Sequence, residues 1–258
     1  MGTATPEGRV VAIEILWWPG PGRLDMVVGK DFSEEASAVV KAIIFDFDGT
    51  VIDTEMVWYR AFRDAFKAHG VDLSVEMYAP CIGTGHETFN PFEYLATDLH
   101  LPIDLEAFRR GVEAHHAELM ETEELREGVM HYLNAARSRR LKIGMASSSS
   151  RTWVEPFMER LKIRDYFHCI GTGDGVARVK PDPEVYRQTL NCLAVDANEA
   201  VAIEDSPNGA KAAKAAGIYC VLVPGPLTQS LAFDPVDCRL NSLTDLDFDL
   251  LLKQAGQS

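Results

Sequence analysis

The chain has 258 residues, 47% of them hydrophobic and 25% charged, which fits an ordinary globular protein and excludes both disorder and a polytopic membrane protein. With 39 Asp plus Glu against 25 Lys plus Arg, the formal net charge is -14. A surface that acidic repels nucleic acid and anionic lipid, so the expected partner is a small molecule held by a local cation, with no nucleic acid and no membrane.

Residues 1–40 read as an N-terminal extension. Pro19-Gly20-Pro21-Gly22 breaks any regular element, Met26 offers an alternative start, and Trp17 and Trp18 are the only hint that this segment docks on something. Its apolar stretch, Val10 to Trp18, is interrupted by Glu14 and lacks a basic region leading into a small-residue cleavage site. A signal peptide is therefore not expected, and the expected compartment is the cytoplasm.

The run Ile43-Ile44-Phe45-Asp46-Phe47-Asp48-Gly49-Thr50 follows, and it has two readings. Asp-Gly between apolar segments is a hairpin signal, with Lys41 to Asp53 forming two antiparallel strands around a type I′ turn. Alternatively, a buried strand ends in two carboxylates. Charges so close repel, which calls for a shared proton or a hard cation such as Mg2+ and leaves one carboxylate as a metal-held nucleophile.

Further along, strands are expected at Ala42 to Asp46, Lys142 to Ala146, His168 to Gly171, Ala200 to Ile203 and Tyr219 to Val223. Helical faces lie between them. Val129, Tyr132, Leu133 and Ala136 share one, and Trp153, Phe157, Met158 and Leu161 another, in a helix that Pro156 requires to begin only shortly before it. Val185, Leu190 and Leu193 suit a third, and Gly209 to Ala216 a fourth, stopped by Gly217. This alternation predicts an α/β fold with a doubly wound, parallel-sheet (Rossmann-like) core. About a hundred residues separate the first two strands, far more than one crossover needs, so an inserted α-helical cap is expected there. Its helices would carry the stripe Trp58, Phe62, Ala65, Phe66, then Phe92 to Leu99, then Leu105 to Met120. The predicted division is core at 41–55 and 125–258 with the cap at 56–124. Cys81, Cys169, Cys192, Cys220 and Cys238 are odd in number and widely spaced without a C-x-x-C pair, so neither a disulfide framework nor a zinc site is expected.

On this scaffold Asp46 ends the first strand, Ser147 the second, Lys180 follows the third, and Glu204-Asp205 ends the fourth. Ligands of doubly wound sheets bind outside the carboxyl ends of the strands, so all these groups should converge, which a hairpin would not predict. The four motifs Asp46-Phe47-Asp48-Gly49-Thr50, Ala146-Ser147-Ser148-Ser149, Lys180-Pro181 and Glu204-Asp205-Ser206 with Gly209 stand in the order found in the haloacid dehalogenase superfamily. The chain resembles its β-phosphoglucomutase-like group with a helical cap, over roughly residues 41 to 225. That resemblance implies Asp46 as the nucleophile that becomes an aspartyl-phosphate and Asp48 as general acid and then base. It also implies Ser147 and Lys180 as partners of the transferring phosphoryl group and Ser148 as a substrate contact. Mg2+ would be held by Asp46, the Asp48 backbone carbonyl and Asp205, with Glu204 as a further ligand or a partner through water. Structural readings compete at single positions: Ser147 to Ser150 as a helix cap cluster, Lys180 as a solvated loop residue, and Glu204-Asp205 as the cap of a helix with Pro207 early in it.

The aspartate at position 48 points to phosphoryl transfer from an oxygen ester, because dehalogenases and phosphonate-cleaving members of the superfamily lack it. Around Ile82-Gly83-Thr84-Gly85-His86-Glu87 the chain is similar to β-phosphoglucomutase, which carries arginine where His86 stands and histidine where Trp58 stands. Arginine grips a distal phosphate bidentately and histidine cannot, which favours a phosphatase over a mutase. His86 is either a substrate contact or a surface loop residue. His115-His116 is expected on a solvated face, and Glu118 to Glu127 as a solvated helix end or linker. The expectation is a monomeric or weakly self-associating, Mg2+-dependent phosphatase of small phosphorylated metabolites. A sugar-phosphate mutase is the alternative, and a non-enzymatic phospho-ligand binder is a more distant one.

Overall fold

The computed structural model describes residues 39–81 and 89–257. Six strands, β1 (Ala42–Phe45), β2 (Lys142–Ala146), β3 (Cys169–Gly171), β4 (Ala200–Glu204), β5 (Tyr219–Leu222) and β6 (Cys238–Arg239), form one parallel sheet in the order β3-β2-β1-β4-β5-β6. This is the doubly wound α/β arrangement expected. The first five strands fall within one residue of their predicted ends. The two-residue β6 was not anticipated, because so short an edge strand shows no alternation. The hairpin reading of Lys41 to Asp53 is wrong: β1 pairs in parallel with β2 on one side and β4 on the other.

The sheet is buried on both faces, which is why its central strands read as unbroken apolar runs. Ile43 and Phe45 point to one side with Ile143, Met145, Val201 and Ile203. Ala42 and Ile44 point to the other with Ala202, Cys220 and Leu222. Helices α5 (Val129–Ser138), α6 (Arg151–Arg160) and α9 (Phe248–Ala255) cover the first face, while α7 (Glu184–Leu193) and α8 (Pro207–Ala215) cover the second.

Between β1 and β2 lie α1 (Thr54–Ala68), α2 (Val75–Tyr78), α3 (Tyr94–Thr97) and α4 (Leu105–Thr122). They enclose a separate apolar cluster that includes Phe62, Phe66, Phe92, Leu95 and Val112. The two long helices start on aspartates: Asp53 accepts the Met56 N–H at 3.2 Å and Asp104 the Ala107 N–H at 3.0 Å. Among the described residues no helix is long and apolar enough to cross a membrane.

Three expectations need correction. Helix α6 begins at Arg151, so Pro156 lies inside it and not just after its start. Pro156 leaves the carbonyl of the exposed Thr152, one turn back, without its intrahelical bond. Cys169 and Cys192 are disulfide-bonded, with Cα atoms 6.2 Å apart, because α7 packs on β3 and brings together thiols that are 23 residues apart in the chain. Ser206, and not Glu204 or Asp205, caps α8: its hydroxyl accepts the Gly209 N–H at 3.1 Å with Pro207 in the first turn.

Candidate active site

Strand order reverses between β1 and β4, and there the sheet opens a crevice beyond its carboxyl ends. Register sets Phe45 against Ile203, and the Asp46 N–H donates to the Ile203 carbonyl at 3.0 Å. Asp46 therefore emerges beside Glu204 and Asp205. All three are buried, and each offers one carboxylate oxygen lying within 4.8 Å of the others. Lys180, in the loop that precedes α7, donates from Nζ to Asp46 Oδ1 at 2.5 Å and to Glu204 Oε1 at 2.6 Å. Tyr186 of α7 donates its hydroxyl to the same Glu204 oxygen at 2.6 Å.

Two of these carboxylates, Asp46 and Glu204, share one ammonium, and Asp205 lies beside them without it. Burial, reinforced by the charges of Asp46 and Glu204, holds Asp205 well above the ordinary carboxylate range. Glu204 is pushed up to about 7, burial outweighing the opposing pull of Lys180. Burial works to lower Lys180, but Asp46 and Glu204 together hold its ammonium above the usual range. Glu204 Oε2 is fully buried, with no hydrogen-bond partner among the described residues. An all-oxygen set with excess negative charge and an unpartnered acceptor fits a hard divalent cation.

Two glycines let backbone approach these carboxylates. A Cβ on Gly49, whose φ is 79°, would lie 2.2 Å from Asp205 Oδ2. One on Gly209 would lie 1.8 Å from Glu204 Oε2.

Asp48 is held from the opposite side. Its Oδ2 accepts from Ser149 Oγ at 2.6 Å and more weakly from Ser147 Oγ at 3.4 Å, and its Oδ1 accepts from Trp153 Nε1 at 2.8 Å. Burial raises the carboxyl above its ordinary range against the effect of the Ser149 bond, and the Asp46 charge adds to the rise. Ser147 is fully buried and accepts the Ser149 N–H at 2.9 Å, while Ser148 and Ser149 line the pocket. This pocket, of about 640 Å³, is also lined by Asp46, Asp48, Lys180 and Asp205, and further out by Glu55 and Trp58. Glu55 is pushed up to about 7 by burial and by the charges of Asp48 and Asp53.

The fold thus gathers Asp46, Asp48, Ser147, Ser148, Lys180, Glu204 and Asp205 in one place. His86 lies outside the described residues. Ser149, Trp153, Tyr186 and Glu55 escaped the sequence reading. Trp153 stands in the first turn of α6, four residues beyond Ser149, which precedes the helix. Its apolar ring nonetheless signalled only core.

The two adjacent histidines of α4 part company. His115 is half-buried, 3.3 Å from Asp64 and 3.5 Å from Glu118. His116 is 4% exposed and stacks on Trp58 with centroids 3.7 Å apart, which corrects the expected solvated face. Packing of α4 against α1 turns this position inward.

Residues 43–223 match the sequence model of the family described as "Haloacid dehalogenase-like hydrolase". The chain is 41% identical over 214 residues to "Putative phosphatase YhcW" of Bacillus subtilis (strain 168), covering 83% of this chain and 97% of that protein. It is 32% identical to "Hexitol phosphatase B" of Escherichia coli (strain K12), covering 80% and 94%. A solved structure of a CbbY variant from Rhodobacter sphaeroides in complex with xylulose-(1,5)bisphosphate is 32% identical and superimposes with a TM-score of 0.60, covering 80% of this chain and 96% of that one. The chain belongs to the haloacid dehalogenase-like hydrolases.

Proposed function

We propose that this member of the haloacid dehalogenase-like hydrolases is a Mg2+-dependent phosphatase of small phosphorylated metabolites, acting through an aspartyl-phosphate on Asp46. The observation that carries this reading is the convergence of Asp46, Lys180, Glu204 and Asp205 beside the hydrogen-bonded Asp48 in one pocket. The phosphatase names of similar proteins support the choice of ester.

In the first step the Asp46 carboxylate, with one oxygen fixed by Lys180, attacks phosphorus. An Asp46–phosphorus bond forms, the phosphorus–oxygen ester bond breaks, and a proton passes from the Asp48 carboxyl to the departing oxygen. In the second step water attacks phosphorus, Asp48 takes its proton, and Asp46 leaves as a free carboxylate with inorganic phosphate. Lys180 offsets charge on Asp46 and on the phosphoryl oxygens, and Ser147 is the hydroxyl we assign as a donor to the same group. Asp46, Asp205 and the Asp48 backbone carbonyl are the ligands we assign to Mg2+, with Glu204 behind them. When bound, Mg2+ supplies the positive charge that lets a phosphate dianion approach so many carboxylates. Residues 56–124 serve as the cap over a core of 41–55 and 125–258, with Trp58 and Glu55 facing the leaving group.

The test is phosphate release across a panel of phosphorylated metabolites with and without Mg2+. Asp46→Asn is expected to abolish turnover while the protein stays folded, and unchanged turnover would sink the assignment. Isomerisation of β-glucose 1-phosphate to the 6-phosphate without phosphate release would instead identify a mutase.

A further inference from the structure

Of the donors that hold Asp48, Trp153 packs against the core of the sheet and also meets a ring from outside it. An indole N–H donates one hydrogen bond and accepts none, so its direction follows the ring. The Trp153 ring lies parallel to that of His116, with centroids 6.0 Å apart and planes at 15°, and edge-on to Phe157 at 4.9 Å. His116 in turn stacks on Trp58 at 3.7 Å and 12°. Trp58 belongs to α1, His116 to α4 and Trp153 to α6, so two of these three rings come from the helices inserted between β1 and β2. His116 contributes through its ring face, since its Nε2 is buried without a hydrogen-bond partner among the described residues. The stack ends at a hydrogen bond of 2.8 Å to Asp48 Oδ1.

We infer that Trp153 is a positioning residue for the proton transfers of Asp48, and that the Trp58–His116–Trp153 stack makes the place of that carboxyl depend on how the inserted helices pack against α6. The inference rests on the reading of Asp48 as proton donor. A carboxyl on a short stem reaches a departing oxygen from few directions, and proton transfer requires hydrogen-bond distance to that oxygen. Ser149 fixes one oxygen of Asp48, and the indole N–H fixes the other and with it the plane of the group.

The experiment compares two monoesters. Glycerol phosphate expels an alkoxide that must be protonated as it leaves, whereas p-nitrophenyl phosphate expels a phenolate that needs little help. Trp153→Phe keeps a ring in the stack and removes only the donor. Its kcat for glycerol phosphate should fall about tenfold or more, with KM changed by less than about threefold, while kcat for the aryl ester falls by no more than about threefold. The alkyl-to-aryl ratio does not depend on how much of the sample is folded, so partial misfolding cannot imitate the result. His116→Ala should lower the same ratio, and His116→Phe, which restores a stacking ring, should recover it. Equal losses on both esters, or an unchanged ratio in Trp153→Phe, overturn the role of Trp153. An unchanged ratio in His116→Ala overturns the coupling to the inserted helices. If the wild-type protein hydrolyses neither ester, the phosphatase reading fails and the role of Trp153 falls with it. Turnover of both with an unaltered ratio removes this inference alone.

Discussion

His116 concentrates a pH dependence in one side chain. Burial lowers its pKa from 6.5 to about 4, so the folded protein keeps the imidazole neutral where an unfolded chain would already protonate it. The folded state therefore binds fewer protons between these two values, and stability falls as pH drops through that window. The contribution is complete above pH 6.5 and is lost progressively toward pH 4. The full shift corresponds to at most about 3 kcal/mol. Urea denaturation at pH 7, 6, 5 and 4.5 should show wild type losing stability relative to His116→Phe, which has no group to titrate there. Parallel curves for the two proteins would show that the imidazole is protonated equally in both states.

At the level of an element, the start of α8 illustrates how a helix end and a charged site exclude each other's volume. Ser206 caps the helix and Gly209 sits in its first turn, against the fully buried Glu204 carboxylate. Because Lys180 and Tyr186 hold that carboxylate from the other side, it cannot swing away from a new methyl group without breaking two bonds. Gly209→Ala is expected to cost about 1–3 kcal/mol through overpacking. On the Mg2+ assignment proposed above, it should also raise the Mg2+ concentration needed for half-maximal activity, since displaced Glu204 disturbs Asp46 and Asp205 beside it. Thermal melts and a Mg2+ titration of activity check both parts, and an unchanged midpoint in each would show that the helix shifts to make room.

At the scale of the molecule, buried apolar side chains among the described residues form three clusters, one on each face of the sheet and one among α1–α4. The third also takes Leu227, from the loop after β5, while Met120 of α4 packs into the first. Phe62 is 1% exposed at the centre of the third cluster, with its ring 4.7 Å from Phe92 and 5.8 Å from Tyr78. Phe62→Ala should cost about 3–5 kcal/mol, as large-to-small changes at buried phenylalanines do. If residues 56–124 are a separate cooperative unit, the cost falls there: amide hydrogen exchange should accelerate in α1 and α4 and stay slow in β1 and β4. Equal acceleration in the sheet would mean that the chain unfolds as one unit and that the proposed division is wrong.

Taken by itself, the sequence determined the parallel sheet and the residues at its carboxyl end. Strand alternation, glycine and proline breaks, and short motifs are relations between near neighbours, and they survive in the linear order. Asp46, Ser147 and Asp205 can therefore be set just past strand ends, and Lys180 in the loop after the third strand, from the linear order alone. Only the tertiary structure decided that Trp153 donates to Asp48, that His116 is buried, that Cys169 meets Cys192 and that Ser206 rather than Asp205 caps α8. The first three depend on how elements distant in sequence cross and which way each is rotated about its axis. That is settled by side-chain packing over the whole core, and no local period records it.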